Sequence, residues 1–196
     1  FLIELSAPDL NVMGFALAGN VGIVAGFNQN NSWAFTDVSR DERDWYKITF
    51  TDGNKEEYLF EGTHLKTSQV IEKITVRGSE IFYDTVLYTH HGPVVYDESF
   101  PSQEGSDYYA LKWIGHYPSK VQKALIDLNQ SKSYTDYLQA LENWDAPAQH
   151  VAFASNSGDI AIRVQGLWPN KWKDQGIFIM DGSQKAMEWP DFIPTD

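Results

Sequence analysis

Short stretches of alternating apolar and polar residues fill the N-terminal half of the chain, which is the pattern of β-strands with one buried face. Amide and glycine clusters separate these stretches and predict turns, among them Asn28 to Asn31 and Asp52-Gly53. The predicted strands cover residues 1–5, 12–18, 21–27, 32–38, 45–50, 57–61, 68–76 and 81–89.

The pattern changes to a helical period in the middle of the chain. Apolar residues recur at helical spacing over residues 120–128 and 133–143, and Ser133 with Asp136 forms a variant of the capping box. Two further strands, 151–154 and 160–164, flank a turn at Gly158, and a last strand is predicted at 177–180. Strands, then helices, then strands indicate an α+β fold, and we expect residues 1–196 to form a single domain.

Composition excludes several classes of function. The 196 residues include 15 Lys and Arg against 27 Asp and Glu, a net charge of −12, and no Cys. Disulfides and thiolate metal sites are therefore excluded, and nucleic acid is not an expected partner. No apolar run approaches the roughly 18 residues of a membrane span. The chain begins at Phe1 without an initiator Met or a basic leader segment, so we expect it to come from a longer protein.

Simple catalytic motifs are missing from the sequence. It contains no Gly-x-Ser-x-Gly elbow, no nucleotide-binding glycine motif and no metal-binding spacing of histidines. Asp41, Glu42 and Asp44 place three carboxylates within four residues. Such a segment suits a hard cation such as calcium, but it equally suits a solvated acidic turn, and spacing does not separate the two.

Seven short segments, read in order, resemble the β chain of the penicillin amidase (penicillin acylase) family of N-terminal nucleophile hydrolases. They contain, in turn, a Gly-x-Asn turn, Trp-x-x-Thr, Asp-x-x-Asp, His-Gly-Pro, a variant of Pro-x-Gln-Asn, a Ser-Gly-Asp turn and Gly-x-x-Pro. The segments are residues 22–28, 32–38, 41–44, 91–94, 147–150, 157–160 and 166–169.

The resemblance implies a fold, a mechanism and a substrate class. The fold is part of an αββα sandwich of mainly antiparallel strands with two central helices. In this family an N-terminal Ser or Cys attacks the substrate, with its own α-amino group as base. A backbone N–H and an Asn side chain hold the oxyanion. Substrates are linear amides with a hydrophobic acyl group, including β-lactam antibiotics and acyl-homoserine lactones, and no organic cofactor is implied.

The same resemblance places Phe1 well beyond the nucleophile. We therefore expect these residues to be inactive alone and to act with the remainder of the parent chain, including its α chain. Family members are commonly exported, which implies a periplasmic or extracellular parent.

Two residues correspond to the oxyanion site of the family. His150 stands where the family has its Asn, and an imidazole N–H can donate the same hydrogen bond, although the role is equally open to having been lost. Asp37 occupies the position of the backbone donor, where its carboxylate is unhelpful unless it points away.

Pocket and metal residues follow in the same way. Asp41, the carbonyl of Arg43 and Asp44 match the calcium-binding stretch of the family. Lys171 takes the place of an Arg and keeps its charge, and Ala25 replaces a larger wall residue, which widens the acyl pocket.

Two alternatives remain open. The chain is a catalytically lapsed homologue, or it is a non-catalytic binding domain in which exposed tryptophans stack on sugars. Exposure of three or more coplanar rings favours the binding domain, whereas burial favours the hydrolase core. The tryptophans are Trp33, Trp45, Trp113, Trp144, Trp168, Trp172 and Trp189.

Overall fold

The computed structural model of the protein describes residues 1–51, 53–101 and 105–193. In these ranges the strands are β1 (Leu2–Ala7), β2 (Leu10–Phe15), β3 (Ala25–Asn28), β4 (Asn31–Asp37), β5 (Arg43–Ile48), β6 (Glu57–Phe60), β7 (Thr63–Lys66), β8 (Ser68–Ile74), β9 (Phe82–Thr89), β10 (Gly92–Tyr96), β11 (Tyr108–Trp113), β12 (Gln149–Ser155), β13 (Ile160–Gln165), β14 (Trp168–Pro169), β15 (Met180–Asp181) and β16 (Phe192–Ile193). The helices are α1 (Val121–Gln130) and α2 (Tyr134–Leu141).

The chain divides into two compact units. Among the described residues, the first unit contains Phe1–Glu42, Tyr117–Pro169, Phe192 and Ile193. The second unit contains Arg43–His116 and Asn170–Asp191. The expectation of a single domain over residues 1–196 stays a prediction.

A six-stranded antiparallel sheet forms the first unit, in the order β1-β2-β3-β4-β12-β13. The helices supply buried residues to the core of this unit, on the sheet face that carries Trp33 and Phe153. Burial of this apolar surface is the main stabilising contribution. The core residues are Val12, Ile23, Trp33, Leu128, Tyr137, Ala140, Leu141, Val151 and Phe153.

Both helices follow from their apolar spacing. In α1 the buried residues Ala124, Leu125 and Leu128 lie on one side, as the period predicts. Helix α2 begins after Ser133, whose hydroxyl accepts a hydrogen bond from the backbone N–H of Asp136 at 3.1 Å. The predicted cap is therefore confirmed.

Close backbone contacts hold β2 against β3. Gly14 and Gly26 lie opposite each other, and a Cβ atom on Gly14 would lie 2.2 Å from the carbonyl oxygen of Ala25. Next to them the Asn129 side chain accepts a hydrogen bond from Ile23 N–H and donates one to Ile23 C=O, both at 2.8 Å. The end of α1 and the segment before β3 therefore share a buried, fully paired amide.

The second unit contains another six-stranded sheet, in the order β15-β5-β11-β10-β9-β8. All neighbours are antiparallel except β15, which runs parallel to β5. Strands β6 and β7 form a separate hairpin. The core of this unit comprises Tyr46, Ile48, Tyr58, Val94, Ala110 and Met180.

Most sequence predictions hold, with two kinds of error. The predicted α+β class, with mainly antiparallel strands and two helices, is confirmed. The strand predicted at 177–180 is wrong over Ile177 to Ile179, which are exposed, and only Met180–Asp181 forms β15. Strands β7, β11, β14 and β16 were not predicted. One half of the predicted Asp52-Gly53 turn lies outside the described residues.

No helix in the described ranges is long and apolar enough to cross a membrane.

Candidate active site

Neighbouring strands of the first unit bring the two predicted oxyanion residues close together in the ladder. Asp37 lies opposite Gln149 at the end of β4, and Thr36 lies opposite His150 near the start of β12. Because side chains alternate along a strand, His150 shares its face with Thr36, whereas Asp37 shares the opposite face with buried Trp33. We call the face that carries His150 the outer face, since the helices cover the other one.

The carboxylate of Asp37 is held by its own segment. It accepts hydrogen bonds from the backbone N–H of Ser39 at 3.1 Å and from the Ser39 hydroxyl at 3.2 Å. In the strand alternation this side chain belongs to the face away from His150. The role of the Asp37 backbone in an oxyanion site stays a prediction.

Buried polar contacts fix the backbone on both sides of His150. Two residues before it, the Ala148 N–H donates to Glu42 Oε1 at 2.6 Å. One residue after it, the Val151 carbonyl accepts from the Tyr137 hydroxyl at 2.7 Å. Burial raises the pKa of Tyr137 to about 12, so this donor keeps its proton at neutral pH.

The imidazole of His150 is half-buried, and no described side chain makes a hydrogen bond or ion pair with it. Its ring nitrogens are therefore free to meet a ligand on the outer face.

Apolar side chains cover much of the outer face. Ala25 lies there, with Phe27 on the same strand and Phe15 opposite it. On the other side of His150, Ile162 of β13 is 71% exposed. Exposed apolar patches of this kind mark binding surfaces, so the position of Ala25 suits its predicted role in an acyl pocket, which stays a prediction.

The second unit holds a buried charge pair. Lys171 Nζ lies 2.8 Å from Asp44 Oδ1, and their side chains are 10% and 0% exposed. The indole Nε1–H of Trp189 donates to the other Asp44 oxygen at 2.5 Å. Gly176 makes room for the pair, because a Cβ atom there would lie 1.9 Å from Asp44 Oδ1.

This pairing bears on the predicted calcium ligands. Both Asp44 oxygens already accept hydrogen bonds from nitrogen donors, one of them a cation, so Asp44 in this arrangement does not fit a calcium ligand. Asp41 is exposed and belongs to the first unit, whereas Arg43 and Asp44 belong to the second. Calcium binding by these residues stays a prediction, as does a pocket role for Lys171.

Tryptophan burial favours the hydrolase core over the binding domain. Trp33, Trp144 and Trp189 are buried, and of all seven only Trp172 is exposed, at 45%. The seven tryptophans therefore do not supply three exposed rings.

Sequence reasoning missed the supporting residues of the site. Glu42 was read only as part of an acidic run, and Tyr137 only as an apolar helix position. Their distant partners in sequence left no local signal. A polar cavity of about 310 Å³ between the β1–β2 turn and the end of α1 contains none of the predicted site residues.

Comparison with known proteins gives consistent matches along the chain. A family model described as penicillin amidase matches residues 1–196. An acyl-homoserine lactone acylase, QuiP, from Pseudomonas syringae pv. syringae is 26% identical over 195 residues, covering 98% of this chain and 23% of the relative. The QuiP acylase of Pseudomonas aeruginosa is 24% identical over 197 residues, covering 95% of this chain and 23% of its own length.

A solved structure shares the fold. Thermostable penicillin G acylase from Alcaligenes faecalis matches with a TM-score of 0.82 at 22% identity, covering 99% of this chain and 34% of that chain. The chain thus spans about a quarter of the curated relatives and a third of the matched structure.

Proposed function

Because this chain belongs to the penicillin amidase family, we propose that it is part of an amidohydrolase that cleaves the linear amide of a hydrophobic N-acyl substrate. The proposal expects the attacking Ser or Cys to lie outside residues 1–196, so that this chain supplies scaffold and oxyanion support. It also expects an exported parent, in the periplasm or outside the cell.

One observation carries the proposal: His150 lies on an apolar outer face with Ala25. Binding of a hydrophobic acyl group to such a face is stabilised by roughly 25 cal/mol per Å² of apolar surface removed from water. The names of the relatives denote acylases of acyl-homoserine lactones and of penicillin G. Either substrate class presents an acyl amide to this face.

The proposed roles of the side chains follow from their chemistry. Attack on the amide carbonyl places negative charge on its oxygen, and hydrogen-bond donors aimed at that oxygen lower the barrier. The backbone N–H of Asp37 and a ring N–H of His150 are the proposed donors. Glu42 and Tyr137 act as positioning residues, because they fix the backbone next to His150.

The test uses the full-length protein with a chromogenic phenylacetyl amide and a medium-chain acyl-homoserine lactone. We expect turnover of at least one of them. Loss of an oxyanion donor in His150→Ala is expected to lower kcat by about 10²–10³. His64→Ala, which removes an exposed histidine paired with Glu57 in the second unit, serves as the control.

The His150→Asn variant separates the alternatives. An active parent that tolerates this change supports His150 as an oxyanion donor. An inactive parent that gains activity through His150→Asn identifies a lapsed homologue. If neither protein releases acid from any amide, the hydrolase proposal is wrong and a binding function is favoured.

A further inference from the structure

Three potential metal ligands converge in the second unit, apart from the predicted active site. His90 and His91 occupy the turn between β9 and β10, and Glu188 follows the short helix Lys185–Met187. One ligand atom from each residue lies within 4.8 Å of the other two. No local motif indicates this cluster, because Glu188 is far along the chain from the histidines.

His91 is the inner member of the cluster. It is 2% exposed, and its Nε2 lies 2.9 Å from the carbonyl oxygen of Gly182. A carbonyl only accepts hydrogen bonds, so Nε2 carries the hydrogen and Nδ1 carries a lone pair. In the described parts of the chain no group forms a hydrogen bond with this buried Nδ1. A buried acceptor left unpaired costs free energy unless something binds it.

The unpaired nitrogen faces a carboxylate. His91 Nδ1 lies 3.7 Å from Glu188 Oε1, and the same oxygen lies 3.2 Å from His90 Nε2. Two atoms that both carry lone pairs repel each other at this distance, and a cation bound by both removes the repulsion.

A hydroxyl group supports the outer ligand. His90 Nδ1 lies 2.8 Å from the Tyr58 hydroxyl, which also accepts the His90 backbone N–H at 3.0 Å. When Nδ1–H donates to this oxygen, Nε2 is left unprotonated and free to bind a metal. Such contacts fix the tautomer and orientation of metal-binding histidines.

We propose that His90 Nε2, His91 Nδ1 and the carboxylate of Glu188 form a binding site for a zinc-class divalent cation. Ligands about 2.0–2.1 Å from a tetrahedral metal lie about 3.3 Å from one another. Glu188 Oε1 lies 3.2 Å from His90 Nε2 and 3.7 Å from His91 Nδ1, and all three ligand atoms lie within 4.8 Å of one another, so a bound metal would draw the two imidazoles closer. Two histidines and one glutamate leave a coordination position open for water. The site is independent of the proposed hydrolysis.

Lys112 competes with the metal. Its Nζ lies 3.6 Å from Glu188 Oε1 and also packs over the ring of Trp189, at 5.1 Å from the ring centroid. A bound divalent cation repels this ammonium, so binding requires Lys112 to move away. Removing its charge while keeping its apolar stem is therefore expected to strengthen metal binding.

The experiment titrates Co²⁺ into metal-stripped full-length protein and follows visible absorption, with Zn²⁺ added to displace it. We expect one equivalent of Co²⁺ with tetrahedral absorption bands, lost in His90→Ala and in Glu188→Gln. Tyr58→Phe is expected to weaken binding about tenfold. The side chains of His90 and Glu188 are both partly exposed, so we expect these variants to fold. Circular dichroism checks that each variant is folded.

Two further variants complete the design. His64→Ala removes an exposed imidazole from the same unit and is expected to leave the bands unchanged. Lys112→Met is expected to tighten binding several-fold. Bands that persist in folded His90→Ala protein, or a Lys112→Met variant that binds no tighter than wild type, would overturn the proposal.

Discussion

The carboxylate of Glu42 accepts a hydrogen bond from the Ala148 backbone N–H at 2.6 Å, two residues before His150. Glu42 is 7% exposed, so a buried side chain from one segment fixes the start of β12. Glu42→Ala leaves a buried N–H unpaired and is expected to lower the free energy of unfolding, measured with urea, by on the order of 2 kcal/mol. Glu42→Gln keeps an acceptor oxygen and is expected to cost less; equal losses in both variants would contradict this role.

Breaking the Lys171–Asp44 pair is expected to be much more costly than breaking an exposed pair. Lys171→Met leaves a buried carboxylate without its cation and is expected to lower the free energy of unfolding by about 3–5 kcal/mol. The control is Lys47→Met, which breaks a half-exposed ion pair with Asp107 and is expected to cost far less, because water screens exposed charges. Urea unfolding compares the two, and similar losses would refute the expectation.

The effect of Ca²⁺ on thermal stability provides a second test of the Lys171–Asp44 pair. In wild-type protein Lys171 already neutralises Asp44, so millimolar Ca²⁺ is expected to change the Tm little through Asp44. In Lys171→Met, Asp44 Oδ1 loses its cationic partner while Oδ2 keeps its bond to Trp189, so a hard cation can bind Oδ1, and Ca²⁺ is expected to recover part of the lost Tm. An equal rise in both proteins would instead support the calcium ligands predicted from the sequence.

Alkaline pH is expected to weaken the fold through Tyr137. Burial raises its pKa from 10 to about 12, so the unfolded chain loses this proton first. The stabilising contribution is complete below pH 10 and is lost as the pH rises towards 12, a change of about 3 kcal/mol. Tyr137→Phe is expected to flatten the decline of unfolding free energy between pH 10 and 12. A constant difference between the two proteins across that range would contradict the assignment.

If the proposed function holds, Ala25 is expected to determine the selectivity for the length of the acyl chain. Ala25→Leu adds a branched side chain to the outer face and is expected to lower kcat/KM more for long acyl groups than for short ones. Ala154→Leu, on the same face but at the far end of β12, is the matched control. The same change in selectivity for both variants would place the acyl group elsewhere.

The spacing of apolar residues predicted those helices and strands that bury one face in a core. The two helices and the strands around Trp33 and Phe153 follow from it, since their apolar residues meet one core. It failed at Ile177 to Ile179, where apolar residues are exposed, and at β14 and β16, which are too short to show a period.

The candidate site was predicted only as far as local motifs reach. The family pattern singled out His150 and Asp37, and the structure places them on neighbouring strands, β12 and β4. The pattern does not record which face each side chain takes. The Lys171–Asp44 pair joins residues 127 positions apart, and neither segment signals the other. Long-range pairing of this kind depends on tertiary structure, which a single sequence does not reveal.

The outer face of the first sheet also affects the solution behaviour of this polypeptide. Ile160, Ile162 and Phe15 hold 86%, 71% and 61% of their surface in contact with solvent. Solvent-exposed apolar side chains on a β-sheet bind hydrophobic dyes and promote aggregation as the protein concentration rises. Residues 1–196 prepared alone are thus expected to show strong dye fluorescence and concentration-dependent light scattering, despite a charge of −12 that opposes it.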